Sequence, residues 1–216
     1  MNMKDISDLR RNYTLATLSE KDVMVNPLLQ FELWLNDAID AGALEPTAMC
    51  LSTVDEDAKP SSRIVLLKQI KSDGFIFFTN YESRKGKQIE QNPHCALNFV
   101  WHELERQVRV EGVVEKVSAT ESDSYFERRP VKSKLGAWAS PQSKVITDRE
   151  YVENLMLVYE QNFSDKEVSR PPNWGGYILK PRLIEFWQGR SNRLHDRIQF
   201  RRDEQSPEWI IERLAP

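Results

Sequence analysis

Near the end of the chain, Arg193-Leu-His-Asp-Arg-Ile-Gln-Phe200 places cations and polar groups at alternate positions. Read as a strand, it puts Arg193, His195, Arg197 and Gln199 on one face and Leu194, Ile198 and Phe200 on the other, because successive strand side chains point to opposite sides. Two guanidiniums and an imidazole are costly to set against a core, since buried charge needs partners. The same face suits an anionic, planar, hydrogen-bonding ligand, for which arginine offers a rigid fork of donors and a flat stacking surface. Trp187, just upstream, could add an aromatic wall. The alternative is a solvated, charge-rich edge strand, and this segment alone leaves both open.

Three further cation clusters adjoin strand-like runs. Arg63-Ile-Val-Leu-Leu-Lys68 has an apolar centre and cationic ends. In a regular strand Arg63 and Lys68 point to opposite faces, so they serve different ligands, or different ends of one ligand site, or simply snorkel to solvent. In Thr79-Asn-Tyr-Glu-Ser-Arg-Lys85, Ser83 can cap a helix whose first turn carries Arg84 and Lys85. Cations oppose the helix dipole there, and the placement becomes favourable if a phosphate docks on the free N–H groups. In Tyr125-Phe-Glu-Arg-Arg-Pro-Val-Lys-Ser133, Tyr125 and Arg129 are spaced to share a helix face. With Ser133 they form a plausible second phosphate clamp; a helix end that favours cations is the other reading. Gln107, Gln142 and Ser143 are uncharged and by themselves say nothing.

Several chemistries find no support. The sequence has no phosphate-binding G-x-x-x-x-G-K-[ST] loop, no G-x-G-x-x-G, no H-E-x-x-H and no G-x-S-x-G. Three histidines and two cysteines give no metal-ligand spacing, so no metal is expected. A net charge of -3 gives no global reason to bind nucleic acid or an anionic membrane. No apolar run approaches the ~20 residues that span a bilayer, and the first residues lack a hydrophobic signal region. Cys50 and Cys95 sit in apolar runs and read as reduced core thiols. A cytoplasmic protein is expected.

The elements that must position these residues can be read in order. Residues 1–25 are polar and read as a loose arm, and residues 26–216 as one domain. Asn26-Pro27 is a helix cap followed by proline at the first helical position, with Leu28, Phe31, Leu35 and Ile39 at helical spacing and Gly42 as a stop. Strands are predicted at Thr47–Val54, Ser62–Ile70, Phe75–Thr79, Cys95–Trp101 and Arg106–Val117, with a short helix over Ser83–Gln91. The last of these strands should turn Val108, Val110 and Val114 inward. Ser118-Ala-Thr-Glu121 and Thr147-Asp-Arg-Glu150 are capping boxes for helices toward Arg129 and through Phe163. Strand signals return at Gly176–Lys180, Arg182–Trp187, Arg193–Arg201 and Trp209–Arg213. Closely spaced strands with turn signals, before and after the helices, predict an α+β fold built on an antiparallel, Greek-key-like barrel with peripheral helices.

The chain resembles the pyridoxamine 5′-phosphate oxidase family from Leu9-Arg-Arg-Asn-Tyr13 to Arg213-Leu-Ala-Pro216. The most specific blocks are Arg63–Lys68, Ser83-Arg-Lys85, Leu104-Glu-Arg-Gln-Val108, Ile184-Glu-Phe-Trp-Gln-Gly189 and Arg193-Leu-His-Asp-Arg197. The resemblance implies an FMN-binding split barrel, working as a homodimer with FMN in a cleft shared by both subunits. It assigns Arg63, Ile64, Val65, Leu66, Leu67, Lys68, Phe78, Thr79, Arg84, Lys85, Gln107, Gln142, Ser143, Trp187 and Arg197 to FMN. Lys68, Tyr125, Arg129 and Ser133 match the clamp on the substrate phosphate. Arg193 and His195 match the groups placed over the reacting carbon, Leu194 between them is assigned with them to substrate binding, and Arg10 and Tyr13 match an arm that closes on the substrate. Phe78 departs from the pattern, since family members often carry Tyr there.

The implied reaction converts pyridoxamine 5′-phosphate or pyridoxine 5′-phosphate to pyridoxal 5′-phosphate. A hydride passes from C4′ to flavin N5, and O2 reoxidises the flavin to give H2O2. Two rival classes remain at this stage: a non-enzymatic flavin- or pyridoxal-phosphate-binding protein on the same barrel, and a nucleic-acid binder. The overall acidity argues against the second.

Overall fold

The computed structural model describes residues 5, 7, 11–203, 206 and 208–216. Arg10, expected in the closing arm, lies outside the described residues. The elements are α1 (Pro27–Asp40), β1 (Ala48–Val54), β2 (Pro60–Leu66), β3 (Gln69–Lys71), β4 (Gly74–Asn80), α2 (Arg84–Gln91), β5 (His94–Trp101), β6 (Arg106–Lys116), α3 (Ala119–Glu127), α4 (Val131–Ala139), α5 (Arg149–Asn162), β7 (Trp174–Gln188), β8 (Asp196–Arg201) and β9 (Ile210–Leu214). Strand order in the sheet is β2-β1-β5-β6-β7-β4-β3, with β8 on β7 and β9 on β8. None of these helices is long and apolar enough to cross a membrane.

The chain forms two compact units. The first comprises Met1–Pro46, Asn98–Val110 and Leu183–Pro216; the second comprises Thr47–Leu97 and Glu111–Arg182.

In the first unit, the Asn26 side chain accepts from the Leu28 amide and starts α1 as the sequence predicts. Gly42, at φ +68, lies just beyond its end. Phe31 meets Phe99 with ring centroids 4.8 Å apart, Trp34 meets Phe186 at 5.1 Å, and Phe186 meets Phe200 at 5.6 Å. Ile39, at helical spacing with buried Leu28, Phe31 and Leu35, is 51% exposed. The buried stripe runs through Trp34 and Ala38 instead, because one residue of offset turns a helical side chain by about 100°. The second half of β7 pairs antiparallel with β8, Trp187 opposite Arg197, and β8 pairs with β9.

The second unit holds β1 against β2 and β4 between β3 and the first half of β7. Ser62–Ile70, read as one strand, is two. The Leu67 amide donates to Thr47 O and the Lys68 amide to Ile76 O, so the backbone exchanges one ladder partner for another there. Arg63 and Lys68 therefore share no strand, and the opposite-face reading lapses. Conversely, the two strands expected around Pro181 are one strand, β7. Asp148 rather than Thr147 caps α5, accepting from the Tyr151 amide. The sequence reading left α4 out altogether. Phe126, Leu135, Val168 and Trp174 form a buried cluster, with Met156, Tyr159 and Phe163 packed against it.

Gly112 is a close-approach point. A Cβ there would lie 2.1 Å from the Lys180 carbonyl oxygen and 2.9 Å from Pro181 Cα. Both are backbone atoms that cannot swing aside. Gly112→Ala is expected to lower stability by about 1–3 kcal/mol, the usual cost of overpacking. The urea midpoint should fall with little change in m; an unchanged midpoint would refute the close approach.

Candidate functional site

In the second unit, β1, β2 and α2 converge on a cation cluster. The Arg63 guanidinium donates to Thr53 Oγ1 at 2.6 Å, Leu51 O at 3.0 Å and Ser61 Oγ at 2.6 Å. Ser83 caps α2, accepting from the Gly86 amide, and so turns Lys85 inward to 8% exposure. The Lys85 ammonium donates to Gln142 Oε1 at 2.6 Å and to Thr79 Oγ1 and Ser83 Oγ, both at 3.1 Å. All of these acceptors are neutral oxygens. Burial, and then the nearby Arg63 charge, pull the Lys85 pKa down to about 8. Arg63 is shifted down by burial and by Arg84. Cations concentrated with no carboxylate paired to them among the described residues make a site that attracts an anion.

This cluster opens on a cavity of about 360 Å³. Arg63, Ile64, Val65 and Leu66 of β2 line it, and exposed Lys68 lies at its edge despite having left the strand. Phe78, Thr79, Lys85 and Gln142 complete the cofactor-assigned set found there, and Tyr125 and Arg129 from the expected clamp share the lining. A second cavity of about 330 Å³ contains Arg129, Gln142 and Ser133. Arg129 thus lines both. Its guanidinium lies 4.5 Å from the Trp174 ring centroid, while its buried Nη1 has no hydrogen-bond partner among the described residues. Burial shifts it downward in pKa, with Tyr125 opposing.

The clamp is assembled differently from the sequence expectation. α3 ends at Glu127, so Arg129 stands beyond the helix rather than on Tyr125's face. Tyr125 stacks on Phe78 at 3.9 Å, with planes 11° apart, and Phe78 lies nearly parallel to Trp174 at 5.5 Å. Gly176, opposite Phe78 in the β4–β7 ladder, admits this flat ring; a Cβ would lie 2.7 Å from it. Leu67 is buried in the core, while Arg84 and Ser143 are exposed. None of the three is brought into either cavity.

In the first unit, β8 begins at Asp196, so Arg193 and Leu194 are not strand residues and the four-residue face is not formed as read. Asn192 (φ +56) and Arg193 (φ +62) adopt left-handed backbone in succession. Such residues cost about 1–3 kcal/mol each and persist where the surroundings impose them. Both residues border a cavity of about 850 Å³, also lined by His195, Trp187, Arg190 and Tyr13. The Trp187 and His195 ring centroids are 4.5 Å apart, and Tyr13 lies 5.8 Å from each. His195 Nδ1 accepts from the Arg190 amide at 3.1 Å, which leaves the proton of the neutral ring on Nε2. Burial, then Arg193, lower its pKa. Gln107, Trp187 and Tyr13 share an adjoining cavity of about 230 Å³. Arg197 pairs with buried Glu185 at 2.7 Å and donates to Ala215 O at 2.9 Å. Leu194 is exposed.

Residues 35–154 match the family model described as pyridoxamine 5′-phosphate oxidase, and residues 174–216 match the pyridoxine 5′-phosphate oxidase C-terminal dimerisation region. A pyridoxine/pyridoxamine 5′-phosphate oxidase from Cyanothece sp. is 56% identical over 98% of both chains. The chain belongs to the pyridoxamine 5′-phosphate oxidase family. A pyridoxine/pyridoxamine 5′-phosphate oxidase from Salinibacter ruber is 51% identical over 99% of this chain and all of that one. Among solved structures, PhzG from Burkholderia lata, in complex with tetrahydrophenazine-1-carboxylic acid, gives a TM-score of 0.87 at 29% identity, covering 94% of this chain and 99% of that one. A pyridoxamine 5′-phosphate oxidase-related, FMN-binding protein from Nostoc punctiforme gives 0.69 at 18% identity, covering 86% and 97%. As a member of the oxidase family, the chain has the expected α+β split-barrel fold.

The sequence reading overlooked Trp174, Asn80 and Arg190. Trp174 has a traceable signal, an aromatic just before the predicted strand at Gly176; Arg190 has none for its contact with His195, which is made through the backbone amide, while its guanidinium pairs with Asp196 at 2.7 Å.

Proposed function

We propose that the protein is an FMN-dependent oxidase that converts pyridoxamine 5′-phosphate or pyridoxine 5′-phosphate to pyridoxal 5′-phosphate, acting as a cytoplasmic homodimer in vitamin B6 synthesis and salvage. The observation that carries this reading is Arg129: a buried guanidinium nitrogen has no hydrogen-bond partner among the described residues, and it lines the same cavity as a cation cluster whose acceptors are all neutral. Phosphate esters match that deficit in charge and geometry.

Arg63, Lys85, Thr79 and Gln142 would hold the FMN phosphate, with Arg84 and Ser143 nearby in sequence. On the family resemblance, Gln107, Trp187 and Arg197 would hold its ring. FMN held there would supply two-electron redox chemistry, with O2 as the final acceptor and H2O2 as its reduced product. Lys68, Arg129, Tyr125 and Ser133 bind the substrate phosphate and fix the distance from it to the reacting carbon, a proximity gain. Arg193 orients the amine or hydroxyl on that carbon. His195, neutral near pH 7 because its pKa is lowered, donates from Nε2 and accepts at Nδ1, so it supports orientation.

Lys85 makes cofactor binding pH-dependent. Its free-protein pKa of about 8 lies below the ordinary 10.5, so above pH 8 it loses the proton that an anion requires. FMN affinity should fall by up to about tenfold per pH unit above 8, as measured by fluorescence titration of the apoprotein. Between pH 8 and 10.5 the unfolded chain binds more protons at this site, so the apoprotein gains stability from it as pH rises. A flat affinity profile would remove Lys85 from the phosphate site.

The PhzG likeness favours a second reading, an oxidase acting on a carboxylate-bearing ring with no phosphate. Stoichiometric peroxide and pyridoxal 5′-phosphate on addition of pyridoxine 5′-phosphate would support the first reading. No product from either B6 ester would overturn it and leave the second reading or a non-enzymatic binder.

A further inference from the structure

We propose that Glu105 is a positioning residue: its carboxylate pins the N-terminal segment and thereby holds Tyr13 in the cavity that carries Arg193 and His195. This rests on the proposed function for its kinetic consequence, but not for its structural one. The segment from residue 11 to residue 25 has no helix or strand to fix it. Glu105 Oε2 instead accepts from two consecutive amides, Thr14 N at 2.8 Å and Leu15 N at 3.1 Å. Arg11 Nε stands 3.8 Å from Oε1. The Glu105 side chain is only 2% exposed. A buried carboxylate needs donors, and the N-terminal segment supplies them, so release of the segment would strand the charge.

Local backbone geometry sets Glu105 for this task. It adopts left-handed φ of +54 after a short 3-10 turn, and its carbonyl accepts from the Gly189 amide at 2.7 Å. Gly189 in turn leaves room for Tyr13: a Cβ there would lie 2.8 Å from Tyr13 Cγ and 3.1 Å from Glu105 Cβ. A second anchor follows four residues on. The Leu18 amide donates to Asp196 Oδ2 at 3.1 Å, and Arg213 donates to Leu18 O at 3.1 Å. With residues 14–18 tied at both ends, Tyr13 is held one residue from the first tie, against Trp187 and His195.

The test compares the FMN-loaded parent with Glu105→Ala, Glu105→Gln, Tyr13→Ala and the Glu105→Ala/Tyr13→Ala pair. The first readout is trypsin cleavage after exposed Arg11, whose rate follows the open population when opening is fast. Cleavage should rise at least about tenfold in Glu105→Ala and less in Glu105→Gln, which keeps an acceptor oxygen. The second readout is kcat and KM for pyridoxine 5′-phosphate. Glu105→Ala should raise KM more than it lowers kcat, and should add almost nothing once Tyr13 is already Ala. Equal cleavage of parent and Glu105→Ala would overturn the proposal, as would a Glu105→Ala loss of the same size with and without Tyr13, which marks a purely structural role. If Glu105→Ala fails to fold, Glu105→Gln carries the same comparisons. Faster cleavage in a protein whose parent turns over no B6 ester would sustain the pinning role while refuting the proposed reaction.

Discussion

Arg193→Ala is expected to lower turnover of pyridoxine 5′-phosphate by about 10²–10³-fold, the usual effect of deleting one preorganised donor at a reacting centre. FMN occupancy should stay near that of the parent. Arg193 adopts left-handed backbone directly after left-handed Asn192 and lines the cavity that also carries Trp187, His195 and Tyr13, and the family resemblance assigns it to the reacting carbon of the substrate rather than to FMN. The informative measurement is the single-turnover rate of flavin reduction in the residual holoenzyme. A variant that lost FMN yet reduced at the parental rate would show that Arg193 serves the cofactor.

Arg129→Ala should raise the KM for the phosphate ester by about 10–100-fold, the range expected for a lost hydrogen bond to a charged group. The orphaned Nη1 is the reason to expect so large an effect from one side chain. Removing the guanidinium also leaves the Trp174 face uncovered, so FMN content should be checked in the same preparation. Loss confined to kcat would contradict a phosphate clamp, since an interaction present in both ground and transition states acts on KM.

Helices with strong end signals were legible in the sequence: Asn26-Pro27, Ser83 and Ser118 each cap where expected. Strand ends were less so. Apolar character continues from β2 into Leu67, and only a change of ladder partner, a non-local event, divides the run. Pro181 looks like a stop, yet β7 passes through it between segments that pair with different strands. The site was legible as clusters of chemistry and not as geometry. Periodicity puts Arg193 on the face of a strand, whereas it ends a short 3-10 turn with left-handed backbone at Asn192 and Arg193. Asparagine is among the non-glycine residues that enter the left-handed region most readily, so Asn192 carried a weak local signal, whereas Arg193 carried none. Helix spacing pairs Tyr125 with Arg129, but Arg129 lies beyond the end of α3 and the two share only a cavity lining. Glu105 sat in a recognisable block, and its hydrogen bonds to residues 14 and 15 bridge a sequence distance that no local pattern reports.

The decisive measurement is an anaerobic titration of the purified holoenzyme with pyridoxine or pyridoxamine 5′-phosphate, followed at the visible flavin bands. Equimolar FMN should bleach on addition of either ester, and admission of air should restore the colour with release of pyridoxal 5′-phosphate. A colourless protein that takes up no FMN, or a flavoprotein that stays oxidised with both esters present, would contradict the assignment of these cations to a flavin and a B6 phosphate.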